Sequence, residues 1–337
     1  MDRFQWEDRY GMQSGQLVMT TQATKGSDSN RIDSAEATAL FVEDRFTTGA
    51  MTITAGARYE EITVMRDDWG KTDPDRSEVP SEREHTMDVI VPGVGVEYAI
   101  NEFQTVSLGV HKGFAPPGPG TSGVTDKAVD PETSMNTEIG FKSNKGLNSL
   151  EFTLFMNSYD NLLGADTAAS GGGTDELFNG GAVDISGFEL YLRRLLVDND
   201  RLQMPLELAW TNTNSEFQES FDGFWGDVSK GDELPYLPET MVSINLGLVV
   251  DKISANISMK QTSEMRTVAG SGSISGSNAT DAITIIDLGM RYALQDNITL
   301  SVGINNFMDD DGIAARRPYG ARPTMPRSFN LGVDYTF

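Results

Sequence analysis

Cysteine is absent from the 337 residues, which excludes disulfide staples, thiolate metal sites and cysteine nucleophiles. Histidine occurs only as His85 and His111, and neither H-E-x-x-H nor G-x-S-x-G is present, so the usual parts of a hydrolytic site are missing. Basic residues are scarce: 26 Lys and Arg face 50 Asp and Glu, for a formal charge of -24. Nucleic acid is set aside as a partner, because a phosphate-binding surface needs net positive patches. No apolar run reaches the roughly eighteen residues a membrane-spanning helix needs. A membrane strand stays open, because it shows lipid only every second side chain and keeps a polar average. The opening "MDRFQWEDRY" has neither a basic segment nor an apolar one, so no signal peptide is expected in the chain.

What is present is alternation of period two. In "LQMPLELAW", Leu202, Met204, Leu206, Leu208 and Trp210 share one face, while Gln203, Pro205, Glu207 and Ala209 share the other. Thirteen such segments are predicted, near 34–46, 49–65, 86–99, 102–113, 132–144, 147–158, 182–196, 201–213, 238–250, 252–264, 281–293, 296–306 and 327–337. A weaker one at 14–24, "SGQLVMTTQAT", makes fourteen. The connections alternate between tight joins ("TTGA", "INE", "NKG", "DND", "VDK", "LQDN") and long loops near 66–85, 114–131, 159–181, 214–237, 265–280 and 307–326.

One end of the sheet therefore carries only turns, the sorting expected of an antiparallel transmembrane β-barrel with short periplasmic turns and long extracellular loops. Glu189, Arg193, Glu207, Asn256 and Lys260 are expected to face a wet lumen, and Leu190, Leu206, Ile257 and Met259 to face lipid. A soluble all-β binding protein, a passive porin-like barrel and a barrel-bound enzyme are the competing readings. The first has no reason to sort its loops, and the last has little from which to build a nucleophile and base.

Several stretches, in order, resemble the TonB-dependent outer-membrane receptors, on the branch similar to the ferric dicitrate transporter. They are "ALFVEDRFTTGAMTITAGARYE" (39–60), "GVHKGFAPPGPG" (109–120), "PETSMNTEIGFKS" (131–143), "DISGFELYLRR" (184–194), "LPYLPETMVSINLGL" (234–248), "GINNFMDDD" (303–311) and "RRPYGARPTMPRSFNLGVDYTF" (316–337). The resemblance implies a bacterial outer-membrane protein, working as a monomer, in which residues 1–337 form the C-terminal part of a 22-stranded barrel. It implies uptake of a ferric chelate, ferric citrate or a siderophore, as transported ligand with no resident cofactor. Energy would come from the TonB–ExbB–ExbD system through a plug domain that has no counterpart in these residues. Fourteen strands is an even number, so closure as a smaller barrel is also allowed.

Loop charge narrows the candidate site. Loop 67–84 has seven acids and three bases, loop 159–180 four acids and no base, and loop 214–236 six acids and one base. Loop 307–326 alone balances, with Asp309, Asp310 and Asp311 against Arg316, Arg317 and Arg322. Guanidinium suits bidentate carboxylate recognition, so Arg316, Arg317 and Arg322, with Tyr319, are candidate ligand-binding residues. Alternatively these arginines pair with neighbouring loops and order the rim. Trp69, Phe221, Phe224, Trp225 and Tyr236 are aromatic loop residues able to cover an apolar siderophore or to pack loops together. The runs "DDW" and "DDD" lack the spacing of a calcium loop and read as solvated charge, and "SGGGTD" reads as a flexible loop tip.

Overall fold

A computed structural model describes residues 1–6, 8–117, 130–166, 176–223, 226–274, 276–316 and 320–337. Fourteen strands form one antiparallel sheet in which each strand pairs with its neighbours in sequence. They are β1 (Asp2–Gln5), β2 (Ser29–Thr48), β3 (Met51–Asp68), β4 (Ser81–Asn101), β5 (Gln104–Ala115), β6 (Glu132–Lys145) and β7 (Asn148–Tyr159). The second half is β8 (Val183–Asn199), β9 (Leu202–Phe217), β10 (Thr240–Val250), β11 (Ile253–Thr262), β12 (Ile283–Gln295), β13 (Ile298–Asn305) and β14 (Ser328–Tyr335). All thirteen predicted segments fall on β2 to β14. The six joins β2–β3, β4–β5, β6–β7, β8–β9, β10–β11 and β12–β13 are two residues long, and every long loop lies at the other end.

The fourteenth strand is not the one expected. Gln16–Thr21 lies off the sheet in a hairpin with Arg9–Gln13. Ser14 (φ 50°) and Gly15 (φ 80°) both take positive φ, the geometry of a two-residue turn that pairs its own flanks. The sheet's fourteenth strand is β1, whose four residues pair only with Ser29–Ile32 at the long-loop end of β2. Closure as a small barrel does not occur either: the sheet is open, with Leu40 on the free edge of β2 68% exposed and Leu331 on β14 85% exposed.

Register divides the residues as their alternation predicts. One face carries the unbroken row Phe46–Ile53–Val96–Leu108–Ile139–Leu154–Phe188 from β2 to β8. The same face carries Leu206–Leu246–Ile257–Leu288–Ile304–Phe329 from β9 to β14. The other face bears ion pairs: Arg45–Glu97 at 3.3 Å, Lys142–Glu151 at 2.7 Å, Arg193–Glu207 at 3.6 Å and Arg291–Asp334 at 3.0 Å. Glycine is also frequent on this face. A Cβ on Gly187 would lie 1.9 Å from the Asn212 carbonyl oxygen, so the close approach of β8 to β9 there requires its absence.

Toward the long loops the faces exchange character. On β2–β4 the last apolar outer row is Leu40–Tyr59–Ile90, and the next two are Thr38–Glu61–Asp88 and Glu36–Thr63–Thr86. At the same height the opposite face turns apolar, with Ile62, Val64, Met87 and Val89 all buried. Such an exchange is expected where the outer side of a membrane wall passes from lipid to water and the inner side becomes covered by protein.

Candidate functional site

Apolar side chains from β5 and from the described loops pack against the inner face at this end. Phe114 packs on the Ile62, Val64 and Met87 cluster, and Pro117, just beyond β5, is fully buried. A second cluster sits at the top of β8 and β9, where Val183 and Phe217 are both 0% exposed beneath Val228 of the short hairpin Phe221–Gly223/Gly226–Val228. Tyr159, Leu162, Ile185, Phe221 and Leu234 surround it, and the Phe217 and Phe221 rings meet edge-on at 5.5 Å.

Polar ties then join loop to loop. Arg266, 7% exposed, donates to Glu233 at 2.6 Å and to the Gly272 carbonyl at 2.6 Å, linking the β9–β10 loop to the β11–β12 loop. The amides of Glu233 and Tyr236 donate to the carbonyls of Gly270 and Arg266, both at 2.8 Å. Asn306, buried at φ 47°, organises the last loop. Its side-chain nitrogen donates to the carbonyls of Asp310 (2.9 Å) and Met325 (2.8 Å), and its oxygen accepts from the Asp310 amide (2.9 Å).

The β3–β4 loop is fastened to the N-terminal segment. The Arg76 guanidinium lies 4.7 Å from the Trp69 ring centre and 5.2 Å from that of Phe4, donates to Asn30 at 2.8 Å, and pairs with Asp2 at 2.7 Å. That hydrogen bond holds the Asp2 carboxyl below its ordinary range. The Asp73 carboxylate accepts from the amides of Glu78 (3.0 Å) and Ser77 (3.1 Å), which lower its pKa likewise.

Of the candidate ligand residues, Arg316 is partly buried and donates to the Ala279 and Gly276 carbonyls, while exposed Arg322 pairs across a short strand pair with Ala315. Arg317, Tyr319, Trp225 and Phe224 lie outside the described residues. Asp309 meets Arg327 at 3.4 Å, and Asp310 accepts from the Thr284 and Gly312 amides. Arg266, Asn306 and Arg76 were missed from the sequence. Their only signals were a lone base in a Gly- and Ser-rich stretch, the asparagine pair of "GINNF" and an aromatic seven residues away.

Lower on the polar face, a hollow of about 580 Å³ is lined by Gly56, Gly93, Gly95 and Gly109 with Arg58 and His111. Among the described residues no group of His, Asp and Glu is placed to hold a metal ion.

A model of the "TonB dependent receptor-like, beta-barrel" family matches residues 2–307. The chain belongs to that family. It is 22% identical to the probable TonB-dependent siderophore receptor PirA of Acinetobacter baumannii, over 94% of this chain and 44% of that protein. The siderophore receptor PiuA of Acinetobacter baumannii superposes with a TM-score of 0.73 at 18% identity, covering 94% of this chain and 45% of PiuA. The ferric citrate transporter FecA, unliganded, superposes at 0.72 and 19%, covering 95% and 48%. The chain thus spans less than half the length of these relatives, and the ferric dicitrate branch is not singled out among them. Membership makes this TonB-dependent receptor sheet the wall of an outer-membrane barrel and not an enzyme, its apolar face meeting lipid and its ion-paired face the lumen.

Proposed function

We propose that the chain supplies the C-terminal wall and much of the outer rim of a receptor that binds a ferric chelate and passes it inward. Energy would come from TonB–ExbB–ExbD acting through a plug domain held against the lumenal face. No bond is made or broken; the work is selective binding followed by gated passage, with the chelate as cargo. The observation that best supports this reading is that every long connection lies on one side, and that described parts of those loops pack over the inner face at the top of β8 and β9.

Ferric citrate and a ferric siderophore are the two cargoes considered, with Arg316, Arg317, Tyr319, Arg322 and Trp225 as the candidate contact set. Two loop carbonyls already engage Arg316, which favours rim ordering over carboxylate capture at that position. The test is uptake of radiolabelled ferric chelates by cells whose sole iron receptor is the full protein carrying this chain. Uptake that stops when TonB is deleted, and weakens when the contact set is replaced by alanine, is the expected result. Uptake indifferent to TonB would overturn the receptor reading, and unchanged affinity in the alanine variants would overturn the contact set.

A further inference from the structure

Resting on the receptor reading, we infer that the cargo is a chelate without net negative charge, a neutral or cationic siderophore complex, and that polycarboxylate and other polyanionic chelates are disfavoured at this rim. Two independent observations carry this. First, among the described residues, guanidinium groups on the loop side already have partners: Arg66 meets Asp33 at 2.6 Å, Arg76 pairs with Asp2, and Arg266 with Glu233 and Gly272. Arg316 is held by Ala279 and Gly276, and Arg327 donates to the Phe307 carbonyl at 3.2 Å while meeting Asp309. Recruiting Arg76, Arg266, Arg316 or Arg327 for a ligand carboxylate would break a tie that holds a loop.

Second, the exposed charge at the long-loop end is mostly negative. Among the described residues, exposed carboxylates such as Asp28, Asp75, Glu78, Asp160, Glu219, Asp227, Glu264 and Asp311 outnumber the exposed cations Lys25, Lys71, Arg83, Lys230, Arg322 and Arg327. Lysine is a strongly hydrated point charge on a flexible stem and gives poor bidentate recognition. A polyanion approaching within a Debye length, about 8 Å at physiological salt, meets net repulsion that a neutral chelate does not.

The experiment compares three ferric complexes on cells carrying the full receptor: a neutral tris-hydroxamate, an anionic citrate complex and an anionic tris-catecholate. The expected result is TonB-dependent binding and uptake of the neutral complex, favoured at least tenfold over both anions at low salt, with the gap narrowing as salt is added. The exposed-residue variant Glu78→Gln/Glu219→Gln/Glu264→Gln should raise anion uptake several-fold and leave neutral uptake within twofold. Anions taken up as well as or better than the neutral complex would overturn the charge assignment while leaving the receptor reading intact. No TonB-dependent uptake of any of the three would overturn the receptor reading, and the charge assignment with it.

Discussion

Replacing Arg266 by alanine tests whether the rim is one cross-tied body. The side chain is 7% exposed and makes two charged hydrogen bonds, to Glu233 and to the Gly272 carbonyl. Such bonds contribute about 1.5–3 kcal/mol each, but Glu233 is half exposed and regains water when released. Discounting that partner leaves about 2–3 kcal/mol of loop stability, or roughly a 30- to 150-fold rise in local opening at about 1.4 kcal/mol per tenfold. Hydrogen–deuterium exchange reads this directly at the amides of Glu233, Tyr236 and Thr267, which donate to Gly270, Arg266 and Asn278. Their protection should fall by that factor, while amides in the middle of β10 and β11 keep theirs. Arg266→Lys should fall between, keeping the charge but losing the fork. Exchange at those three amides within threefold of the parent would refute the cross-tie, because the loops would then be held by Val183, Phe217 and Val228 alone.

On the lipid face, Leu246→Arg should cost about 2–4 kcal/mol if the position lies near mid-bilayer, whereas Asn245→Arg on the adjoining lumenal position should leave thermal stability in detergent and vesicles nearly unchanged. Equal effects would contradict the face assignment. Asp73 has a pKa lowered below its ordinary 3.8, so its contribution to the β3–β4 loop is complete above that value and is lost as pH falls through the lower folded value. Fluorescence of Trp69, isolated by comparison with Trp69→Phe, should stay flat from neutral pH to about pH 4 and change only below; a transition centred near pH 6 would refute it. The free edges of β2 and β14 together present on the order of twenty unpaired backbone groups at several kcal/mol each in lipid, more than a domain's whole stability, so both must be paired by something else. Because the chain has no cysteine, a Leu40→Cys/Leu331→Cys pair is a clean probe, and no crosslink is expected in the full receptor; an efficient one would mean that the two edges close on each other.

Much of the wall was legible because lipid and lumen impose opposite demands on successive residues. Leu206, Ile257 and Met259 against Glu207, Asn256 and Lys260 needed no more than parity to be placed. The hairpin at Gln16–Thr21 was misassigned for a local reason: its alternation is genuine, but Ser14 and Gly15 turn it back on Arg9–Gln13 instead of along β2. The rim was harder to read. Arg266 and Glu233 are 33 residues apart and meet only because two loops fold over the same wall, and nothing in the order of residues marks that. Charge counting over loop 307–326 found the opposite signs but could not show which groups meet. Asp309 turned to Arg327, outside the counted stretch, and backbone carbonyls took Arg316.

The exchange of faces above the bilayer follows from the same physics that makes the wall. A side chain is apolar where its neighbour is poorer in hydrogen bonds than water, and on β2–β4 that neighbour is lipid up to Leu40, Tyr59 and Ile90. Beyond that height the outer side meets water, so Glu61, Asp88 and Thr63 stand there, and the apolar residues move to the inner side as Ile62, Val64 and Met87. An apolar inner wall left open to a wet vestibule would expose three large side chains on these strands, at about 1.5–3 kcal/mol each. Covering it favours loops that fold inward over leaving them free in solvent. The parity that reads as membrane strand in one half of β3 and β4 therefore sets an apolar inner surface in the other half, and Phe114 of β5 packs on it.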